Sequence, residues 1–134
     1  MTEPSLSLQT AIRARLIASP HVMELVEPDN IRDGGTRPEA LPSIILGSAQ
    51  VETAGHYGSY RNVTVYLDLH IWDETLEGAK NLGALANKAL FDPLDVPGFD
   101  LTDGLHVQRY IYMTDPSGSG HGVVSVRGLM GAPI

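Results

Sequence analysis

The sequence predicts an α+β domain: a mainly antiparallel four-stranded sheet with two main helices packed on one face. Three observations carry this prediction. VTVYLDLHIWDE, residues 63–74, alternates apolar and polar side chains at the period of a strand. Residues 76–90 repeat apolar side chains at the period of a helix. Along the chain the order reads helix, short helix, strand, strand, helix, strand, strand, so hairpins can join most strand neighbours.

Ser7 can cap a first helix whose apolar stripe is Leu8, Ala11, Ile12 and Leu16. Ser19-Pro20 opens a short second one, with Val22, Leu25 and Val26 on its apolar side. Residues 27–42, EPDNIRDGGTRPEALP, read as loop, with a tight turn at Asp33-Gly34-Gly35. SIILGSAQVE (43–52) is short, apolar and β-branched, hence a strand; TAGHYGSYRN (53–62) interrupts it as a hairpin tip or arm. Strand 63–73 follows, with Val63, Val65, Leu67, Leu69 and Ile71 inward and Thr64, Tyr66, Asp68, His70 and Trp72 outward.

Asp73 or Thr75 caps the long helix. Leu76, Ala79, Leu82, Leu85, Ala86, Ala89 and Leu90 form its buried face, and Asp92-Pro93 stops it. LHVQRYIYM (105–113) alternates again. A regular pleat sets Leu105, Val107, Ile111 and Met113 against the core and His106, Gln108, Tyr110 and Tyr112 outward, which leaves Arg109 awkwardly on the apolar side. TDPSGSGHG is a hairpin loop whose tip, 117–121, should tolerate shortening, and VVSVRGLM closes the sheet. No repeat or linker divides the chain, so 1–134 is expected to be one domain.

Hydrophobic residues make up 43 % of the 134 and charged residues 19 %, enough for a real core. There is no cysteine, hence no disulfide, thiolate nucleophile or cysteine-based zinc site. No apolar run approaches the roughly 20 residues that span a bilayer, and the N-terminus lacks the basic region of a signal peptide. Net charge is −7 with nine scattered Lys and Arg, which disfavours a reader of nucleic acid.

Asp68 and His70 share one strand face with Cβ atoms about 6.5–7 Å apart, and His106 could join them from a neighbouring strand. A small His/Asp metal-dependent hydrolase could be built on such a pair, but it needs a placed Ser or Thr, or a third metal ligand, and the sequence marks neither. PSGSGHG precedes a strand, not a helix, and lacks the Gly-Lys-Ser/Thr ending of a phosphate loop. Asp92, Asp95, Asp100 and Asp103 miss the spacing of a calcium loop and read as turn residues. A glycosylation sequon at 62–64 begins a core strand and is discounted, and a small-ligand domain would need a deep apolar pocket that no motif announces. No cofactor or catalytic residue is expected. The aromatic and polar side chains facing away from the core (Tyr66, Asp68, His70, Trp72, Tyr110 and Tyr112) read instead as a contact surface.

Five segments together resemble a known family: SLQTAIRARLIASPHVMELV, LPSIILG, HIWDE, GAKNLGALANKAL and HGVVSVRGL. Their order and pattern over nearly the whole chain are similar to the tail-completion, or tail terminator, proteins of long-tailed phages and related gene transfer agents. The resemblance implies a non-enzymatic virion protein, assembled in the bacterial cytoplasm, that forms a closed ring, usually a hexamer, on the head-proximal end of a tail tube. Such a ring ends tube polymerisation and meets the head connector, and DNA passes through it without specific binding. The implied partners are further copies of the chain, the tail tube protein and the connector or stopper protein, with no membrane. A stopper or adaptor is the near alternative. His56, Tyr57, Tyr60 and Arg61, and Ser117, Gly118, Ser119 and His121, are the loop positions where contacts with stacked neighbours are expected.

Overall fold

The computed structural model describes residues 3–34, 37–53 and 62–131. Helix α1 (Pro4–Ile17) starts one turn earlier than Ser7. Glu3 is its cap, accepting from the Leu6 N–H, and Pro4 takes the first turn, where a missing N–H costs nothing. The Ser7 hydroxyl is instead buried inside the helix, with no partner among the described residues. Helix α2 (Pro20–Met23) is capped by Ser19, and α3 (Leu76–Leu90) by Thr75, whose hydroxyl accepts from the Gly78 N–H at 3.0 Å.

The sheet has five strands in the order β1-β2-β3-β5-β4, and β1 (Ile31–Asp33) runs parallel to β2 (Ser43–Thr53). Strands β3 (Asn62–Asp73), β5 (Gly120–Gly131) and β4 (Asp100–Thr114) continue it antiparallel. This mixed five-stranded sheet corrects the expectation of four antiparallel strands, and beside the two main helices stands the short α2 that Ser19-Pro20 opens. Three residues are too few to display a period, so β1 was hidden in the predicted loop. Ile31 is nevertheless fully buried against α1, and Arg13 Nε fastens its carbonyl at 2.7 Å.

The helices cover one sheet face, and the core lies between the layers. Leu8, Ile12 and Leu16 of α1 and Leu82 of α3 are completely buried against Val65, Leu69 and Ile71 of β3, each worth about 1.5–3 kcal/mol of transfer free energy. The inward half of the β3 alternation is therefore as the sequence predicts.

Strand β4 departs from a regular pleat twice. Asp103 and Gly104 are extra residues between Thr102 and Leu105, both with φ in the left-handed region, at 58° and 72°. Two extra residues leave the facing unchanged. Gln108 is a single extra residue between Val107 and Arg109, and one extra residue exchanges the two faces of everything beyond it. Arg109 thereby leaves the apolar side and pairs with Ser125 on the helix-free face. Tyr110 and Tyr112 move the other way. They pair with Val124 and Gly122 on the helix side, which corrects their expected outward placement. Ile111 and Met113 take the vacated outer positions, each 41 % exposed.

Tyr112 occupies a slot between two glycines. A Cβ at Gly83 of α3 would collide with its hydroxyl oxygen, and a Cβ at Gly122 would stand 2.7 Å from its Cε1. Burial, then the neighbouring Tyr110, raises the Tyr112 phenol above its ordinary pKa.

Candidate functional site

The helix-free face of the sheet collects the remaining outward residues. Along β3, Tyr66, Asp68, His70 and Trp72 do share this face, as the alternation predicts. Tyr66 is half-buried with its hydroxyl 3.4 Å from Glu52 Oε2. Asp68 accepts a hydrogen bond from the Ser125 hydroxyl at 2.8 Å. With Gln50, Gln108 and Arg109 they line an open polar depression of about 570 Å³.

The other end of the face is closed over. Trp72 is only 7 % exposed, because the imidazole of His121, directly opposite on β5, stacks on it at 3.8 Å with the planes 7° apart. The Arg37 guanidinium lies over the indole at 5.7 Å. Arg37 also donates to the Ser119 hydroxyl at 2.8 Å and pairs with Asp115 at 3.7 Å. Asp115 in turn holds the β4–β5 turn by accepting from both the N–H (3.1 Å) and the hydroxyl (2.6 Å) of Ser117. Those hydrogen bonds pull its carboxyl below the usual carboxylate range. The segment between β1 and β2 and the β4–β5 turn are thus fastened to each other across Trp72.

His70 completes the cluster. Its Nδ1 faces His121 Nε2 at 2.9 Å, and the ring planes are 25° apart with centroids 5.2 Å apart. Its ring also packs on bare backbone, since a Cβ at Gly47 would stand 2.7 Å from His70 Cδ2. Burial, and then the neighbouring His70, push the His121 pKa below its ordinary value, and Asp115 partly opposes them.

The predicted loop residues divide. His56, Tyr57, Tyr60 and Arg61 lie outside the described residues. Ser117 and Gly118 are exposed at the tip of the turn, whereas Ser119 is buried and His121 lies against Trp72. The turn is therefore exposed at Ser117 and Gly118 and anchored from Ser119 onward. Arg37 and Asp115, which organise this corner, were not foreseen, because nothing in a Pro-rich loop marks one arginine as a clasp.

Asp68 and His70 are turned to different partners rather than to each other. The carboxylate is engaged by Ser125, and the imidazole nitrogen facing the cluster is engaged by another imidazole. His106 does not join them; it pairs with Arg127, toward Tyr66. Among the described residues no three His, Asp or Glu side chains converge as a metal site.

Fold and face together define a two-layer α+β protein whose polar and aromatic residues hold strands and turns against one another. The chain belongs to the tail completion protein gp17 family, which matches residues 10–130, the family that the sequence resembles. Its fold is shared with a chain of the virion of a native gene transfer agent particle, at a TM-score of 0.81 and 18 % identity over 98 % of this chain and 100 % of that one. Bacteriophage SPP1 gp17 is also similar, at a TM-score of 0.57 and 24 % identity over 93 % of this chain and 89 % of the phage protein. At these identities the likeness is one of fold. No curated protein sequence matches the chain.

Proposed function

We propose that this chain, acting as a single domain, is a structural virion subunit that closes a phage-like tail. Copies of it form a ring, of six subunits, on the head-proximal end of the tube. The ring ends tube polymerisation and joins the tail to the head connector, and DNA passes through its opening. Membership of the tail completion family over residues 10–130 carries this reading.

The surface of the subunit is consistent with it. A closed ring needs head-to-tail contacts between two different patches of one subunit. Here the described sheet ends in two unlike borders, the long β4 and the stretch of β2 beyond its short pairing with β1. The helix-free face adds exposed Ile111, Met113 and Leu129 beside Tyr66 and Arg109, a mixture of apolar area and polar handles of the kind that contact surfaces use. Interface roles for Tyr66, Asp68, His70 and Trp72, for Tyr110 and Tyr112, and for loops 56–61 and 117–121 belong to this proposal. A net charge of −7 per chain makes the ring a conduit for DNA rather than a glue.

Native mass spectrometry of the purified protein, with negative-stain images, tests the assembly, and adding the protein to polymerising tail tube subunits tests the function. Rings, and tubes that stop growing when capped, are expected. A protein that stays monomeric at high concentration and leaves tube length unchanged overturns the proposal.

A further inference from the structure

The two histidines at the closed end of the helix-free face do more than fill space. Their centroid separation of 5.2 Å is what two ring radii and one 2.9 Å hydrogen bond add up to, so the nitrogen atoms point straight at each other. That alignment fits a proton on one nitrogen and a lone pair on the other. It does not fit a metal, which requires both lone pairs to converge on a third point off the line. The bond therefore survives with no added proton, or with one added to an outer nitrogen. It fails when both rings are charged, because two N–H groups then face each other across the same gap.

We propose that the His70–His121 pair is a proton-operated latch: while it holds at most one extra proton it keeps Arg37, and the residues from Arg37 toward β2, down on Trp72, and a second proton releases them. The charged groups around it set the direction. Arg37, from the segment between β1 and β2, brings a fixed positive charge over the indole on which His121 is stacked. Asp115, from the β4–β5 turn, is the facing anion, but it is shared among Arg37 and the two donors of Ser117. Asp68, two residues from His70 on β3, is engaged by Ser125. On β1, Arg32 stands beside Ile45 on this same face and adds a second fixed positive charge, whereas β2 contributes Ile45 and Gly47 here and no charge, and the β4 neighbour of His121 is Met113. A doubly charged pair beside Arg37 thus concentrates like charge around one partly committed carboxylate. The depressed pKa of His121 runs the same way. Opening would uncover Trp72 and free the segment from Arg37 toward β2, exposing an indole on a face that already presents Ile111 and Met113.

Trp72 is the one tryptophan of the chain, so its emission and its quenching by acrylamide report on the latch directly. Between pH 7.5 and 5, the quenching constant is expected to rise severalfold while far-UV circular dichroism is unchanged, with the midpoint below the ordinary histidine value. In His70→Asn the amide keeps a hydrogen-bonding group but cannot charge, and the transition should shrink or disappear. Arg37→Gln, a change on an exposed segment that leaves the pair intact, should raise quenching at pH 7.5 toward the acid value of the parent protein. Either an unchanged quenching constant once NMR shows both imidazoles charged, or a rise only in step with loss of circular dichroism, overturns the latch. These readouts stand apart from ring formation, so the latch can fail while the structural role survives, and the reverse.

Discussion

Gly83→Ala sets two effects of similar size against each other. In the middle of α3, alanine is favoured over glycine by about 1 kcal/mol of helix propensity. The new methyl, however, collides with the Tyr112 hydroxyl oxygen, with Cζ at 3.1 Å and Cε1 at 3.3 Å. Relief requires that ring to retreat by on the order of 1 Å, and overpacking of this kind costs about 1–3 kcal/mol. The tyrosine cannot shift toward the sheet, because Gly122 already lies under its Cε1. The net expectation is a loss of about 1 kcal/mol and a drop in Tm of about 3–5 °C. Tyr112→Phe removes the colliding oxygen and leaves Cζ as the nearest atom, so in that background Gly83→Ala should be neutral or stabilising. Urea unfolding of the wild type, both single variants and the double variant should give a coupling of about 1–2 kcal/mol. If Gly83→Ala stabilises the wild-type protein by its full propensity, with no coupling, Tyr112 does not lie against α3 and the exchange of faces at Gln108 is wrong.

Other positions give simpler expectations. Gly120→Ala should cost about 3 kcal/mol in chemical denaturation, because its Cβ would stand 2.5 Å from the Thr75 carbonyl carbon and 2.8 Å from Leu76 Cα, both backbone atoms that cannot swing away. Trp72→Ala should lose about 3 kcal/mol in thermal or urea unfolding, since the indole is covered within its own chain; a normal melt with dispersed rings would instead mark the residue as purely intersubunit. Stability should also depend on acidity through His121. Its folded pKa is depressed below the ordinary 6.5, so the unfolded chain takes up the proton first as pH falls. The stabilisation is complete above about pH 6.5 and declines as pH drops from there toward the folded value, and His121→Asn should flatten that slope in urea titrations. Finally, removing Ser117 and Gly118 with the turn reclosed should leave a folded protein, whereas deleting on through His121 should lower its Tm sharply, because Ser119 and His121 anchor the clasp.

Most of the architecture was legible because it rests on long periodic segments. Strand β3 and helix α3 declare themselves over more than ten residues each, and their inward faces are the ones the alternation predicts. Strand β1 was illegible for the opposite reason: three residues inside a Pro- and Gly-rich stretch become a strand only because β2 lies beside them. Strand β4 was legible as a strand and misread as a surface, since a two-residue template cannot register one extra residue. Arg109 on the apolar side was the signal of the bulge, because a charged residue among inward positions is what a missed shift of frame produces. The corner around Trp72 could not have been read at all. His70 and His121 are separated by 51 positions, Arg37 and Ser119 by 82, and only the register of the finished sheet brings them together.

The irregularities of β4 bear on how the protein survives before it has partners. A border strand of 15 residues with open backbone groups is a template on which any passing chain can polymerise, and such borders are where soluble proteins begin to precipitate. The kinks at Asp103–Gly104 and Gln108 break this one into short lengths, so only Arg109–Thr114 is left straight, with a cation at its head. Strand β4 thus offers a stray chain little continuous length to pair with, and yet keeps one short straight stretch of its own open for whatever is meant to meet it.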